Sequence, residues 1–234
     1  MPTDRVNRGK IHHITTNYGS SANGAHLEVY LPQNKTEIDI LLMAGIHGDE
    51  PEGTVLLSEA LRYLLPEELK NGVILCVNPD GMASGTRANT NGVDLNRNFP
   101  SKNWKPDSVY YRNYKEEAQN IELSPGSKPS SESETIALVE LIKKTKPKYL
   151  VAMHAPLACV EDPLFSKLSK LVADKSNLPL VKTVGYETPG SLGSWADDND
   201  KTIITYELPS ASLIDIKKNH LQIILDLLSN NYNL

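Results

Sequence analysis

The sequence predicts an α/β fold, a single domain spanning residues 1–234 with helices on both faces of a mostly parallel sheet. Three observations carry this expectation. Apolar runs of strand length alternate with longer segments of helical periodicity, the pattern of layered α/β proteins. A chain of 234 residues can bury most of its unfolded surface in one core. Two histidines, His47 and His154, follow closely on apolar runs, and the carboxyl edge of such a sheet is where ligands bind.

Taken in order, residues 26–31 (HLEVYL) alternate as an early strand, and residues 37–44 (EIDILLMA) form a second, followed by Gly45. The residue before a proline is pushed out of the α region, and proline suits the first turn of a helix. Glu50 therefore closes a turn. A helix is expected over residues 51–65, burying Val55, Leu56, Leu57, Ala60, Leu61, Leu64 and Leu65. Residues 73–77 (VILCV) read as a buried strand. Residues 78–100 are dense in Asn, Gly, Asp and Pro and read as a long irregular segment, which in a compact domain usually carries function. The polar residues 101–133 read as a surface excursion.

Ser131 or Ser133 is expected to cap a helix over residues 134–144 with Ile136, Leu138, Val139, Leu141 and Ile142 inside, stopped by Pro147. Residues 149–153 (YLVAM) form a strand running into His154. A helix near residues 163–175, a short strand near 180–184, a strand at 201–207 (KTIITYE) and a helix over 213–228 complete the chain, which contains no internal repeat.

The net charge of −5 and pI near 5.7 offer no general attraction for nucleic acid or anionic lipid, and no basic stripe supplies one. No run approaches the roughly 20 apolar residues of a membrane span. The first twenty residues lack the apolar core of a leader peptide. A cytoplasmic protein without nucleic-acid or membrane partners is expected; oligomeric state is open, with a homodimer allowed. Cys76 and Cys159 are too few for a disulfide framework and read as free buried thiols. Cys159 could serve as a fourth metal ligand only by displacing the water that a catalytic zinc site keeps.

His47, Glu50 and His154 supply three metal-ligand side chains, the count that leaves one Zn²⁺ position open and marks a catalytic site. The arrangement is not the helical His-Glu-x-x-His motif, since no second histidine follows four residues on. Amide hydrolysis also needs a base and an oxyanion stabiliser. Glu207 ends an apolar strand and is followed by Leu208 and Pro209; burial there would raise its pKa toward that of a useful base, whereas a strand-end glutamate facing water would do nothing. Arg87, among Gly85, Thr86 and Ala88, can approach a carbonyl or remain a solvated cation. Asn96 and Arg97 combine an amide with a planar fork of donors that can grip a carboxylate or brace their own loop.

The strings GIHGDEPEG and NPDGMASGTRANTNGVDLNRNFP, then His154, then TYELP, together resemble the zinc carboxypeptidase family over most of the chain. HAPLACVEDP and VGYETPGSLGSW resemble the branch that trims bacterial cell-wall peptides. The resemblance implies an α/β/α sandwich with a mixed, mostly parallel, twisted central sheet. It implies one Zn²⁺ per chain on His47, Glu50 and His154, with Glu207 as general base and Arg87 stabilising the oxyanion. Asn96 and Arg97 match the pair that holds the substrate's terminal carboxylate. Tyr186 matches a mobile tyrosine that closes over substrate, and Gly193 the base of the specificity pocket. The implied substrate is a small murein peptide, L-alanyl-γ-D-glutamyl-meso-diaminopimelate, cut between its last two residues. Ser191, Ser194 and Asp197 are candidates for the distal end of diaminopimelate. Ala155 departs from the pattern, standing where a polar residue, often Asp, is expected.

Two other readings compete. An acyl-amino-acid deacylase resembling succinylglutamate desuccinylase or aspartoacylase would share the His-x-x-Glu, downstream His and Asp-x-Asn-Arg pattern. A non-catalytic binder of wall peptides would keep the fold without turnover. Tyr186 and the Tyr-Glu pair ending at Glu207 favour the peptidase, and the complete set of ligands and base favours catalysis.

Overall fold

The computed structural model describes residues 9–33, 35, 37–113 and 119–232. Residues 1–8 of the stretch read for a leader, and Tyr114 of the polar excursion, lie outside them. In chain order the elements are β1 (Thr15–Ser20), β2 (His26–Tyr30), β3 (Ile40–Met43), α1 (Glu52–Tyr63), β4 (Gly72–Ile74), α2 (Pro79–Ser84) and a 3-10 turn (Leu95–Arg97). There follow β5 (Val109–Asn113), β6 (Gln119–Leu123), α3 (Ser133–Thr145), β7 (Tyr149–His154), β8 (Leu157–Glu161) and α4 (Lys167–Ser176). β9 (Leu180–Val181), α5 (Leu192–Asp198), β10 (Thr202–Pro209) and α6 (Leu213–Ser229) close the chain.

Every residue of β3, β4 and β7 is buried, as expected of strands covered on both faces. They form the middle of an eight-stranded sheet of order β1-β2-β4-β3-β7-β10-β8-β9. The expected parallel arrangement holds at the centre, where β4, β3, β7 and β10 all run together. Antiparallel pairings join β1 to β2, β2 to β4 and β8 to β10, so the sheet is mixed. One apolar core packs α1, α4 and α6 against one face, through Leu57, Val172 and Ile224 among others. A second packs α3 and α5 against the other, through Leu138, Ile142 and Trp195. The result is the three-layer α/β/α arrangement.

Local differences have local causes. The first helix ends at Tyr63, and Leu65, which precedes Pro66 and so avoids the helical region, is exposed rather than buried; Val55 is half-buried. Neither Ser131 nor Ser133 caps α3: Glu132 occupies that position without a side-chain cap, and Ile136 faces water. The fourth helix starts at Lys167, behind Ser166, whose hydroxyl accepts from Ser169 N–H. Pairing in the VILCV run stops at Ile74, leaving Cys76 only half-buried. Residues 78–100 are not wholly irregular: Asn78 caps α2, left-handed Gly85 closes it, and Asp94 caps the 3-10 turn. The strands β1 and β8, the β5–β6 hairpin and α5 were not expected.

Candidate active site

Because β3, β7 and β10 are parallel, their carboxyl ends open on one edge of the sheet. His154 is the last residue of β7, and His47 lies four residues beyond the end of β3. Between His47 and α1 the chain turns tightly, with Glu50 N–H donating to the His47 carbonyl. Gly48 is needed here, since a Cβ at that position would collide with the backbone of Gly81 and Met82. This contact also draws the Arg87 segment in, where the Arg87 carbonyl accepts from Gly48 N–H.

Three donor atoms converge. His47 Nδ1 is 2.8 Å from Glu50 Oε1, His154 Nδ1 is 2.9 Å from Glu50 Oε2, and the two Nδ1 atoms are 3.1 Å apart. Donors sharing a tetrahedral zinc at bond lengths near 2.0–2.1 Å stand about 3.3 Å apart, so these spacings are close to those the ion requires. Two ring nitrogens and a carboxylate all turned inward form an acceptor-rich cluster that a cation satisfies. Among the described residues it is the one His/Cys/Asp/Glu group of this kind. Cys159 stands outside it, and burial together with the nearby Glu207 and Glu161 pushes its thiol up to about 11, against its use as a ligand.

Asp94, fully buried, is a functional candidate that the sequence reading had only as part of a pattern. Its Oδ1 lies 3.3 Å from His47 Nε2, within ion-pair range but without an aligned hydrogen bond, and its Oδ2 accepts from Arg87 Nε at 3.2 Å. Burial alone would raise this carboxyl; Arg87 and His47 outweigh it and hold the group well below the carboxylate range. Arg87 also donates from Nη1 to Glu50 Oε1 at 3.0 Å, so it is bound into the site and not a solvated loop cation. Glu50 is likewise held low: burial acts upward, and His47 and His154 more than cancel it.

Glu207 is 7% exposed, and its Oε2 accepts weakly from Leu157 N–H at 3.4 Å. Burial, reinforced by the Glu50 charge and opposed by His154, raises its pKa above the ordinary value. It is not the water-facing strand end that competed with the base reading. Arg97 is also 7% exposed, yet among the described residues no carboxylate lies within ion-pair distance of its guanidinium, Asp94 acting on it only from farther away. Its Nη1 donates to the Asn96 carbonyl at 2.7 Å. Asn96 uses its side-chain oxygen to accept from Leu192 N–H at the start of α5, while its amide nitrogen has no hydrogen bond among the described residues.

Tyr186 is 55% exposed, within electrostatic range of Arg87, Arg97, Glu207 and Glu50, so it borders the site. It also lines a cleft of about 660 Å³ with Asn103, Lys105 and Glu187; none of the three metal-ligand candidates lines that cleft. Gly193 sits in the first turn of α5, where an added Cβ would meet only Ser191 Oγ at an ordinary 3.5 Å. Of the distal-end candidates, Ser191 is occupied as the cap of α5, and Ser194 bonds the Thr188 carbonyl and Asn103. Asp197 is exposed. Ala155 contributes through its backbone, donating N–H to Glu50 Oε2 at 3.3 Å.

A zinc carboxypeptidase family profile matches residues 9–223. The chain belongs to the zinc carboxypeptidase family. Murein peptide amidase A of Escherichia coli strain K12 is 46% identical over 225 residues, covering 96% of this chain and 93% of that protein. The protein of the same name from Vibrio campbellii is 42% identical over 220 residues, covering 94% and 89% respectively. The crystal structure of murein-tripeptide amidase MpaA from Escherichia coli O157 superposes with a TM-score of 0.91 at 44% identity, covering 98% of this chain and 97% of that one. Thrombin-activatable fibrinolysis inhibitor, at 18% identity and a TM-score of 0.71, shares the fold. As a zinc carboxypeptidase family member the chain is a hydrolytic enzyme, and His47, Glu50 and His154 form the group able to bind its zinc.

Proposed function

We propose that the chain is a murein tripeptide amidase that hydrolyses L-alanyl-γ-D-glutamyl-meso-diaminopimelate at the γ-D-glutamyl-diaminopimelate bond. The observation that carries the substrate is the near full-length match, at 46% identity, to a murein peptide amidase. The geometry supports the reaction. A zinc ion on His47, Glu50 and His154 would act as a Lewis acid toward the scissile carbonyl and make water acidic enough to attack.

The chain's own groups do the rest. Arg97, a buried cation with no carboxylate within ion-pair distance among the described residues, receives one carboxylate of diaminopimelate, with the Asn96 amide nitrogen as second donor. That anchorage sets the amide carbon beside Glu207. Glu207, with its pKa raised by burial, takes a proton from the attacking water and returns it to the departing amine. Arg87 donates to the developing oxyanion. Tyr186 covers the bound peptide, and Gly193 leaves space for the long diaminopimelate side chain. A cytoplasmic location accords with two free cysteines; among the described residues no helix is long and apolar enough to cross a membrane.

The test is mass spectrometry of zinc-loaded protein incubated separately with the tripeptide, N-succinylglutamate and N-acetylaspartate. Release of diaminopimelate and L-alanyl-D-glutamate is expected. Turnover of only the acyl amino acids would transfer the chain to the deacylase reading, and binding without any turnover would make it a binder.

A further inference from the structure

Arg87 makes three side-chain contacts among the described residues, and one of them is to a metal-ligand candidate. Its Nη1 bond to Glu50 Oε1 uses an oxygen that also faces His47, and that carboxylate is needed for the ion. A guanidinium that is to stabilise an oxyanion must stay aimed once Glu50 is engaged elsewhere. Two contacts outside the ligand group remain. Asp94 Oδ2 accepts from Nε at 3.2 Å, and the guanidinium carbon lies 5.3 Å from the Tyr111 ring centroid, inside cation–π range.

Tyr111 comes from β5, in a hairpin far along the chain from Arg87 but joined to the same loop. The hairpin root is stitched there: Asp94 N–H donates to the Ser124 carbonyl and Ser124 N–H to the Gly92 carbonyl, with a parallel bridge between Val93 and Ser124. The strand β5 pairs with β6 from Val109 opposite Leu123 to Asn113 opposite Gln119, which fixes the register of Tyr111 opposite Ile121. The Asp49 carboxylate lies within electrostatic range of the Tyr111 hydroxyl and, after burial, raises its pKa. The hairpin thus places an aromatic ring against the arginine.

We infer that Tyr111 is a positioning residue for Arg87: its ring and Asp94 together hold the guanidinium when the zinc site is filled, leaving the Nη edge for the oxyanion. The ring is the working part, and the hydroxyl is not required for it. The rate assay rests on the amidase reading, whereas a spectroscopic one does not.

In the zinc-loaded protein, a proton near an aromatic face has a displaced NMR resonance, and a held Nε–H exchanges slowly. The Arg87 Nε–H signal, assigned by its loss in Arg87→Lys, is expected to move and to exchange faster in Tyr111→Leu, while Tyr111→Phe leaves it nearly in place. In the rate assay Tyr111→Leu is expected to lower kcat about tenfold with KM little changed, with Tyr111→Phe recovering most of the rate. In an Arg87→Ala background the same Leu change is expected to cost less than about twofold, because its effect runs through the arginine. An Arg87 signal unmoved in Tyr111→Leu, losses that add in the double variant, or Tyr111→Phe behaving like Leu would each overturn the inference. Tyr111→Met provides a second ring-free variant should Leu fail to fold. An inactive wild type would defeat the amidase reading alone and leave the resonance to decide this one.

Discussion

Glu207 stands directly opposite His154 in the parallel pairing of β10 with β7, and directly opposite Cys159 in the antiparallel pairing of β10 with β8. Register partners on neighbouring strands share a sheet face. The candidate base is therefore fixed beside a metal-ligand candidate by backbone hydrogen bonds, and its surroundings are dry enough to raise its pKa. This single pairing explains why the base and the ion site can cooperate although Glu207 and His154 stand 53 positions apart in sequence.

Glu207→Gln removes proton transfer while preserving shape. Turnover is expected to fall by about a thousandfold, in the range for losing a positioned general base, with zinc content and tripeptide binding retained. Steady-state kinetics with metal analysis and calorimetry check this; a variant of near-full rate would remove Glu207 from the chemistry.

The pH dependence follows from the direction of the Glu207 shift. A base must be ionised, so kcat/KM is expected to rise with pH through a value above the ordinary glutamate range. Stability runs the other way. A carboxyl whose folded pKa is raised contributes fully to stability below its unfolded pKa, and that contribution is lost as pH rises through the folded value. In chelated protein, Glu207→Gln is therefore expected to melt higher than wild type above that range, with the gap closing as pH falls toward about 4.5. Thermal melts across pH measure it, and a gap that widens toward acid would contradict the burial argument.

Asp94 touches His47 on one side and Arg87 on the other. Its replacement by Asn is expected to weaken zinc by about 10- to 100-fold, as loss of a carboxylate behind a ligating histidine does, and to lower kcat through Arg87. Competition with a chelator gives the affinity. Unchanged zinc binding would confine Asp94 to the arginine.

Arg97→Ala is expected to lower kcat/KM for the tripeptide by about 10- to 100-fold, the value of charged hydrogen bonds to a carboxylate. For a substrate with its diaminopimelate carboxylates amidated, wild type and variant are expected to converge. Equal losses on both substrates would mean that Arg97 only braces its loop.

Much of this site was legible in the chain because its chemistry sits at the ends of apolar strands. The runs before His47 and His154, and the strand that carries Glu207 and continues to Pro209, are marked by burial that composition reveals. Asp94 was harder to see. It lies in a turn-rich stretch where aspartate ordinarily caps, and here it does cap Asn96 N–H; its contacts with His47 and Arg87 span loops that periodicity does not connect. Tyr111 likewise belongs to a polar excursion whose hairpin pairing has a weak alternation. The strand β8 follows His154 after only two residues, and its apolar stretch, Leu157 to Val160, is too short to be told apart from the end of β7 by periodicity. Ser191 and Ser194 looked like binding groups because sequence proximity does not show that their hydroxyls are already engaged.

The central claim, that His47, Glu50 and His154 hold one zinc ion, is tested most directly by anomalous diffraction at the zinc edge from crystals of zinc-loaded protein. The account predicts one strong peak per chain within bonding distance of all three side chains, at about 2.0–2.2 Å from each donor. No peak there, or an ion bound elsewhere while these three side chains keep only one another, would contradict it.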